Sequence, residues 1–308
     1  MSTTPITRRV RAYFAPVDRA TGTPTAFDAA QNGSFTLDTP PAPWIDLGWC
    51  TTFRRSNTES ANAGIVPLRS GTPAMASTQA RISADATVEL QFAIWGKLQL
   101  ALSCGTQQVN LLAATNGSIT AIALEPGSTS TALNVGSADS QFSAGDLIVV
   151  DTDYTGQIGF VGSGISGAYV RIAADVGSDI NFIRRISLNV ARIATIDSTS
   201  GTLQLEAPLP AGSPPSGLQL NRVTGFVDRE GSSFFQEWSG LFVMEGEQGD
   251  RIIFYYPRLQ SMHGAAETVE TLAAPLERVR LSGAFRALAA RDATDGEMVL
   301  CYRSYLPA

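Results

Sequence analysis

The stretch "EGEQGDRIIFYYP", residues 245–257, places three acids within six residues and then runs into a block of aromatics. Just upstream, "DREGSSFFQEW" adds Asp228, Glu230 and Glu237. Two readings compete: an acid-rich catalytic cleft, or the tip and legs of a β-hairpin. Residues 234–244, "FFQEWSGLFVM", and 251–256, "RIIFYY", are the two strongest strand runs in the chain. β-branched and aromatic side chains of this kind fit a pleated, half-buried surface. Gly246 and Gly249 lie among the acids between them and supply turn geometry with a solvated tip. Glycoside chemistry needs two carboxylates held rigidly across a cleft, and turn-tip carboxylates are not so held. The hairpin reading is preferred, and Asp228, Glu230 and Gly231 read as the preceding turn.

The rest of the chain has the same texture. It has 308 residues, of which 44% are hydrophobic and 16% charged, so it has cores to bury. The net charge of −6 argues against a general DNA binder, whose phosphate contacts need a basic surface, but suits a wall past which a duplex slides. Cys50, Cys104 and Cys301 are odd in number and widely spaced. They form neither a disulfide framework nor a zinc site, and read as reduced thiols. The N-terminal "MSTTPITRRVRAYF" lacks the apolar segment of a signal peptide, and no apolar run reaches the length of a membrane span. A soluble chain with no membrane partner is expected.

Strands are expected at 8–17, at 33–38 ("GSFTLD"), at 44–56 with Gly48 as a bulge, and at 80–92. Residues 56–78 show no period and read as a long functional loop. In "IWGKLQLALSCG", Ile94, Leu98, Ala101 and Leu102 recur at helical spacing and Gly105 supplies a stop, which makes one short helix. From about 115 to 222 the charges thin out and short strands alternate with Gly/Ser/Thr turns, the texture of a small all-β barrel or sandwich. The expected fold class is therefore all-β: a β-sandwich or barrel with one short α-helix, made of residues 1–114 and 223–308 and interrupted by an inserted small β domain at 115–222.

Three motifs fail on their context. "GSGISG" (162–167) has the glycine spacing of a dinucleotide site, but a strand-like "AYVRIAAD" follows it where a helix is required. Asp151, Asp153, Thr155 and Gly156 begin a calcium loop, but its twelfth position is Gly162 in place of a bidentate Glu. His263 is the single histidine, and Ser166 lacks the second glycine of a nucleophile elbow. The expectation is no enzyme, no cofactor and no metal.

The strand-then-helix phrase "VELQFAIWGKLQLALSCG", the long loop after the second strand pair, the stretch "FVDREGSSFFQEW…EGEQGDRIIFYYPRL" and the closing "LERVRLSGAFRALAARDATDGEMVLCYRSYLPA" resemble phage major tail proteins, the subunits of tail tubes. The resemblance covers roughly residues 8–105 and 225–308 and is one of pattern and phrase. The insertion and the length depart from the plain tube subunit. The resemblance implies a two-sheet β-sandwich with a flanking helix, whose copies close into rings, usually hexameric, that stack into a conduit for the genome. The partners it implies are further copies of the chain, other tail proteins, and phage DNA passing without specific binding. The implied location is the virion tail, assembled in the host cytoplasm. It also implies an inter-subunit role for the 56–78 loop, with Arg54 and Arg55 at its root and Ile65, Val66, Leu68 and Arg69 within it. The alternative readings are another β-rich virion protein (capsid decoration or tail terminator), a carbohydrate-binding β-sandwich and a hydrolase.

Overall fold

The computed structural model describes residues 7–17, 23–41, 43–57, 65–81, 84–105, 107–113, 121–151, 189–209, 212–215, 217–229, 237–246, 249–262, 266–273 and 276–307. The first third contains β1 (Thr7–Pro16), α1 (Ala29–Asn32), β2 (Ile45–Ser56), β3 (Ile65–Ser70), β4 (Met75–Arg81), β5 (Thr87–Phe92) and α2 (Lys97–Cys104). The middle contains β6 (Gln107–Leu112), β7 (Ile122–Ala123), β8 (Ala132–Asn134), a 3-10 helix (Gly136–Gln141), β9 (Leu147–Asp151), β10 (Val190–Asp197), β11 (Thr202–Leu205) and β12 (Gln219–Arg229). The last part contains β13 (Glu237–Gly246), β14 (Arg251–Ser261), β15 (Ala266–Ala273), β16 (Leu276–Leu288), β17 (Ala290–Arg291), β18 (Met298–Val299) and β19 (Tyr302–Leu306). The protein is all-β, with short helices only.

The chain divides into two compact units. One is built from Met1–Val17, Pro24–Gly105 and Phe235–Ala308, the other from Asp18–Thr23 and Thr106–Phe234. Sequence texture placed the edges of the insertion at 115 and 222 because charge thins there; the units divide instead at 105 and 235, where α2 ends and before β13 begins.

In the first unit β16, β5, β2, β1, β13 and β14 lie side by side, and β14 pairs back to β16. Six antiparallel strands thus close into a barrel, with β15 and β19 left as the outer strands of the sheet. Alternation along each strand divides the side chains between two cores. Phe14 and Phe285 meet at 5.2 Å although β1 and β16 are not neighbours, so both rings face the interior. Phe53 reaches Phe242 at 5.0 Å and Phe254 at 5.9 Å from a strand adjacent to neither β13 nor β14. A barrel this narrow is filled by its own side chains. The intervening residues Tyr13, Ala15, Leu241, Val243, Ile253 and Tyr255 point outward and are covered by Leu37 and Trp44, with Phe27, Phe35, Tyr302 and Leu306 packed alongside.

Polar groups fasten this covering segment. Arg11 grips Asp46 through Nε (3.0 Å) and Nη2 (2.5 Å), and donates to Asp38 at 2.6 Å. The Tyr13 hydroxyl donates to Leu37 O at 2.9 Å, and Arg251 Nη1 donates to Gly33 O at 3.0 Å and Phe35 O at 2.7 Å. These long-range bonds explain why "GSFTLD" is not a strand. Residues 33–38 are turns and irregular backbone, and the carbonyls of Gly33, Phe35 and Leu37 accept from side chains of the barrel wall. A short helix, α1, precedes them, capped by Asp28.

The Gly48 bulge is present: Gly48 has φ +86°, and the β1–β2 register passes from Ala12↔Gly48 to Tyr13↔Asp46. Helix α2 begins one residue after Gly96, whose N–H is accepted by Gln99 Oε1 at 2.9 Å. It ends on Gly105 in the left-handed conformation (φ +63°) with Ala101 and Leu102 buried. Ile94 does not share that face, because it precedes the cap and is 83% exposed. The C-terminal strands β16 and β19 are not ladder partners among the described residues. Only the two-residue ladder β17–β18 joins them, and β19 then pairs with β14, where Tyr302 stacks on Tyr255 at 5.6 Å.

The second unit is a sheet in the order β6-β12-β9-β10-β11-β8, with β7 also on β12. Leu133, Ile148, Ile193, Leu203 and Leu220 form the centre of its core.

Cys301 is half-buried. Cys50 and Cys104 are buried, and burial pushes the Cys50 thiol up to about 12. Only the thiolate reacts, so alkylation at pH 8 should leave Cys50 and Cys104 untouched in the folded protein and label both in denaturant. Labelling of Cys50 in the folded protein at the rate of a free thiol would contradict this packing.

Candidate functional site

Glu237, Glu245 and Asp250 are the acids of the β13–β14 hairpin among the described residues. Glu245 and Arg251 are direct cross-strand partners at the turn end of the β13–β14 hairpin, 3.1 Å apart. Glu237 accepts from Arg258 (3.0 and 3.1 Å) and from Gln260 (3.0 Å) across the same ladder. Asp250 is buried, not solvated as a turn-tip acid would be. Its backbone carbonyl accepts the Gly246 N–H at 2.7 Å, and its carboxylate lies over Gly246, where any Cβ would collide with it. Asp228 lies in β12 opposite Gln108, not in a turn, because β6 extends the ladder to that point. Glu230, Gly231, Glu247, His263, the "GSGISG" segment and the calcium-like loop beyond Asp151 lie outside the described residues. Among the described residues no group of His, Cys, Asp and Glu is placed to hold a metal ion.

What the described surface offers instead is a pair of two-stranded arms. The first replaces the expected structureless loop. β3 and β4 pair antiparallel from Ile65↔Arg81 to Ser70↔Met75, and every residue from 66 to 79 whose side chain is described is exposed. The hairpin carries no apolar period because neither face is buried among its described residues. The register nevertheless puts Val66, Leu68 and Met75 on one face, with a shift between Leu68 and Arg69 that keeps them together. These three are 37%, 50% and 68% exposed.

Of the residues assigned an inter-subunit role, Val66, Leu68 and Arg69 lie exposed on this arm and Ile65 begins it. Arg54 is exposed at its root. Arg55 is not part of that surface. It points into the barrel, donates to the Tyr256 hydroxyl at 3.1 Å and lies 4.8 Å over the Phe254 ring. The strand alternation that sends Phe53 inward sends Arg55 inward also, and Arg54 outward.

The second arm was not legible as one. β16 runs beyond its ladder with β5 and continues with β15 alone, from Ala266↔Ser282 to Ala273↔Leu276. Val269 and Val279 lie directly opposite each other and are 64% and 42% exposed. The Trp95 indole N–H donates to Val279 O at 2.9 Å, which brings the exposed Ile94 to the same end. On the other face Glu270 binds Arg280 closely and Arg278 at 3.3 Å, and hydrogen bonding to Arg280 holds its carboxyl below the usual range. The alternation in "ETVET" and "ERVRL", an apolar residue between charged or polar ones, was the available sign of a strand pair with one apolar stripe.

No family model matches the chain, and no curated protein matches it. No helix among the described residues is long and apolar enough to cross a membrane.

Proposed function

We propose that this protein is the subunit of a phage tail tube: copies close into rings, and rings stack into a conduit through which DNA passes without specific binding. The observation that carries the reading is the β3–β4 arm. A lone two-stranded hairpin is marginally stable in water, and this one exposes Val66, Leu68 and Met75. Ordering its backbone costs about 1–2 kcal/mol per residue, and contacts with another subunit would offset that cost. The arm contributes no buried side chain, among its described residues, to the barrel beside it.

Three further features support the reading. β15 and β19 end the sheet that contains the barrel, which leaves strand edges for a neighbouring copy. The net charge of −6 suits a lumen that repels phosphates. Of the acids that suggested catalysis, Glu237 and Glu245 bind arginines across the β13–β14 ladder. The partners proposed are further copies, in a ring that the resemblance suggests is hexameric, and other tail proteins. The place of action is the virion tail. Light scattering on the purified protein together with electron micrographs tests this. Rings or tubes are expected, and a monomer at every concentration would overturn it.

A further inference from the structure

The two arms are rooted at opposite ends of the barrel, and the strand register shows it. β5 pairs antiparallel with β16, Thr87 opposite Arg286 and Gln91 opposite Ser282. The chain departs for the first arm where β2 and β5 end, at the pair Ser56↔Thr87. The second arm begins at the other end of β5, where Ser282 leaves Gln91 and continues with Ala266. Each end thus carries its own uncovered apolar set: Val66, Leu68 and Met75 at one, Ile94, Val269 and Val279 at the other.

We propose that these two ends bind each other between copies, the Val66–Leu68–Met75 face of one subunit seating on the Ile94–Val269–Val279 patch of the next. This rests on the tube reading and names the contact that would stack its rings. The occupant is a second copy of this chain for two reasons. First, the apolar sets are matched in kind and lie at opposite ends, so the contact is heterologous and repeats indefinitely along one axis. A face that paired with itself would stop at a dimer. Second, the charges are complementary. Residues 65–81 hold Arg69 and Arg81 and no acid. On the receiving arm Glu270 is engaged by Arg278 and Arg280, while the exposed Glu267 lies two residues from Val269 on the same face.

The test is oxidative cross-linking of the full chain carrying Leu68→Cys and Val269→Cys, with Met75→Cys and Ile94→Cys as a second pair. Cys50 and Cys104 are buried and Cys301 is half-buried, so the parent chain, run alongside, measures the background from the native thiols. The double variant should give a ladder of dimers, trimers and longer species on a non-reducing gel, at least tenfold above either single variant. An equal mixture of the two singles should stop at the dimer. Dimers of Leu68→Cys alone at the same yield would overturn the proposal in favour of arm-to-arm self-pairing. Micrographs of the same samples separate the two levels of the argument. Stacked rings without a ladder from either pair would refute this contact and leave the tube reading standing. A ladder from filaments without rings would uphold the contact and refute the tube. Monomers with no ladder would refute both.

Discussion

A chain in which residues 58–83 are replaced by a short Gly/Asn turn should fold and melt within a few degrees of the parent, yet lose all higher-order assembly. The prediction follows from register and exposure. Ser56 and Thr87 are direct cross-strand partners at the end of the β2–β5 ladder, so a tight turn closes that hairpin without disturbing either strand. The arm contributes no buried side chain among its described residues, since 66–79 are all exposed. Surface changes of this kind usually fall within about 0.5 kcal/mol, and shortening a loop lowers closure entropy slightly. Assembly, by contrast, loses the exposed Val66, Leu68 and Met75 together. Sedimentation velocity and a thermal melt on the same sample decide it. A deletion variant that still forms particles of the parent's size shows the arm to be dispensable. One that precipitates or melts far below the parent shows that the arm supports its own barrel.

Phe242→Ala should be among the most destabilising single changes in the protein, at about 3–5 kcal/mol. The ring is fully buried and contacts three others, with centroids at 6.1 Å to Phe14, 5.0 Å to Phe53 and 5.9 Å to Tyr256. Those rings come from β1, β2 and β14, so removing Phe242 opens a cavity against three strands at once. Closed barrels collapse poorly around a void, because no strand can move without breaking ladders on both sides. For a unit of this size about 1 kcal/mol corresponds to about 2–4 °C, so the melting point should fall by roughly 10 °C. A loss below about 1 kcal/mol would mean that the aromatic interior is not closed around this ring.

The parts of this fold that the sequence revealed are those specified locally. The runs flanking "EGEQGD" are apolar on both faces because one face fills the barrel and the other meets the covering segment, and that continuity marks β13 and β14 at sight. Gly48 and Gly105 were legible because each supplies a backbone conformation other residues resist. What stayed hidden depends on distant partners. Closure of the barrel is set by β14 meeting β16 at Arg258↔Leu288 through Ser261↔Phe285, and no local pattern encodes that pairing. Residues 33–38 resemble a strand, yet Arg251 and Tyr13 hold them in turns. The candidate site was half visible. Val66 and Leu68 drew notice as an apolar stretch in a long polar segment, whereas Ile94, Val269 and Val279 gain meaning only once register brings them to one end. Arg55 was misplaced because two adjacent arginines look alike until strand alternation sends one of them inward.

Negative-stain electron microscopy of the purified protein over a rising concentration series tests whether this chain assembles with itself into stacked rings. Ring-shaped end views and striated tubes of constant diameter, becoming more frequent with concentration, are expected. Fields of single small particles at every concentration, with the protein shown to be folded by its melt, would contradict it.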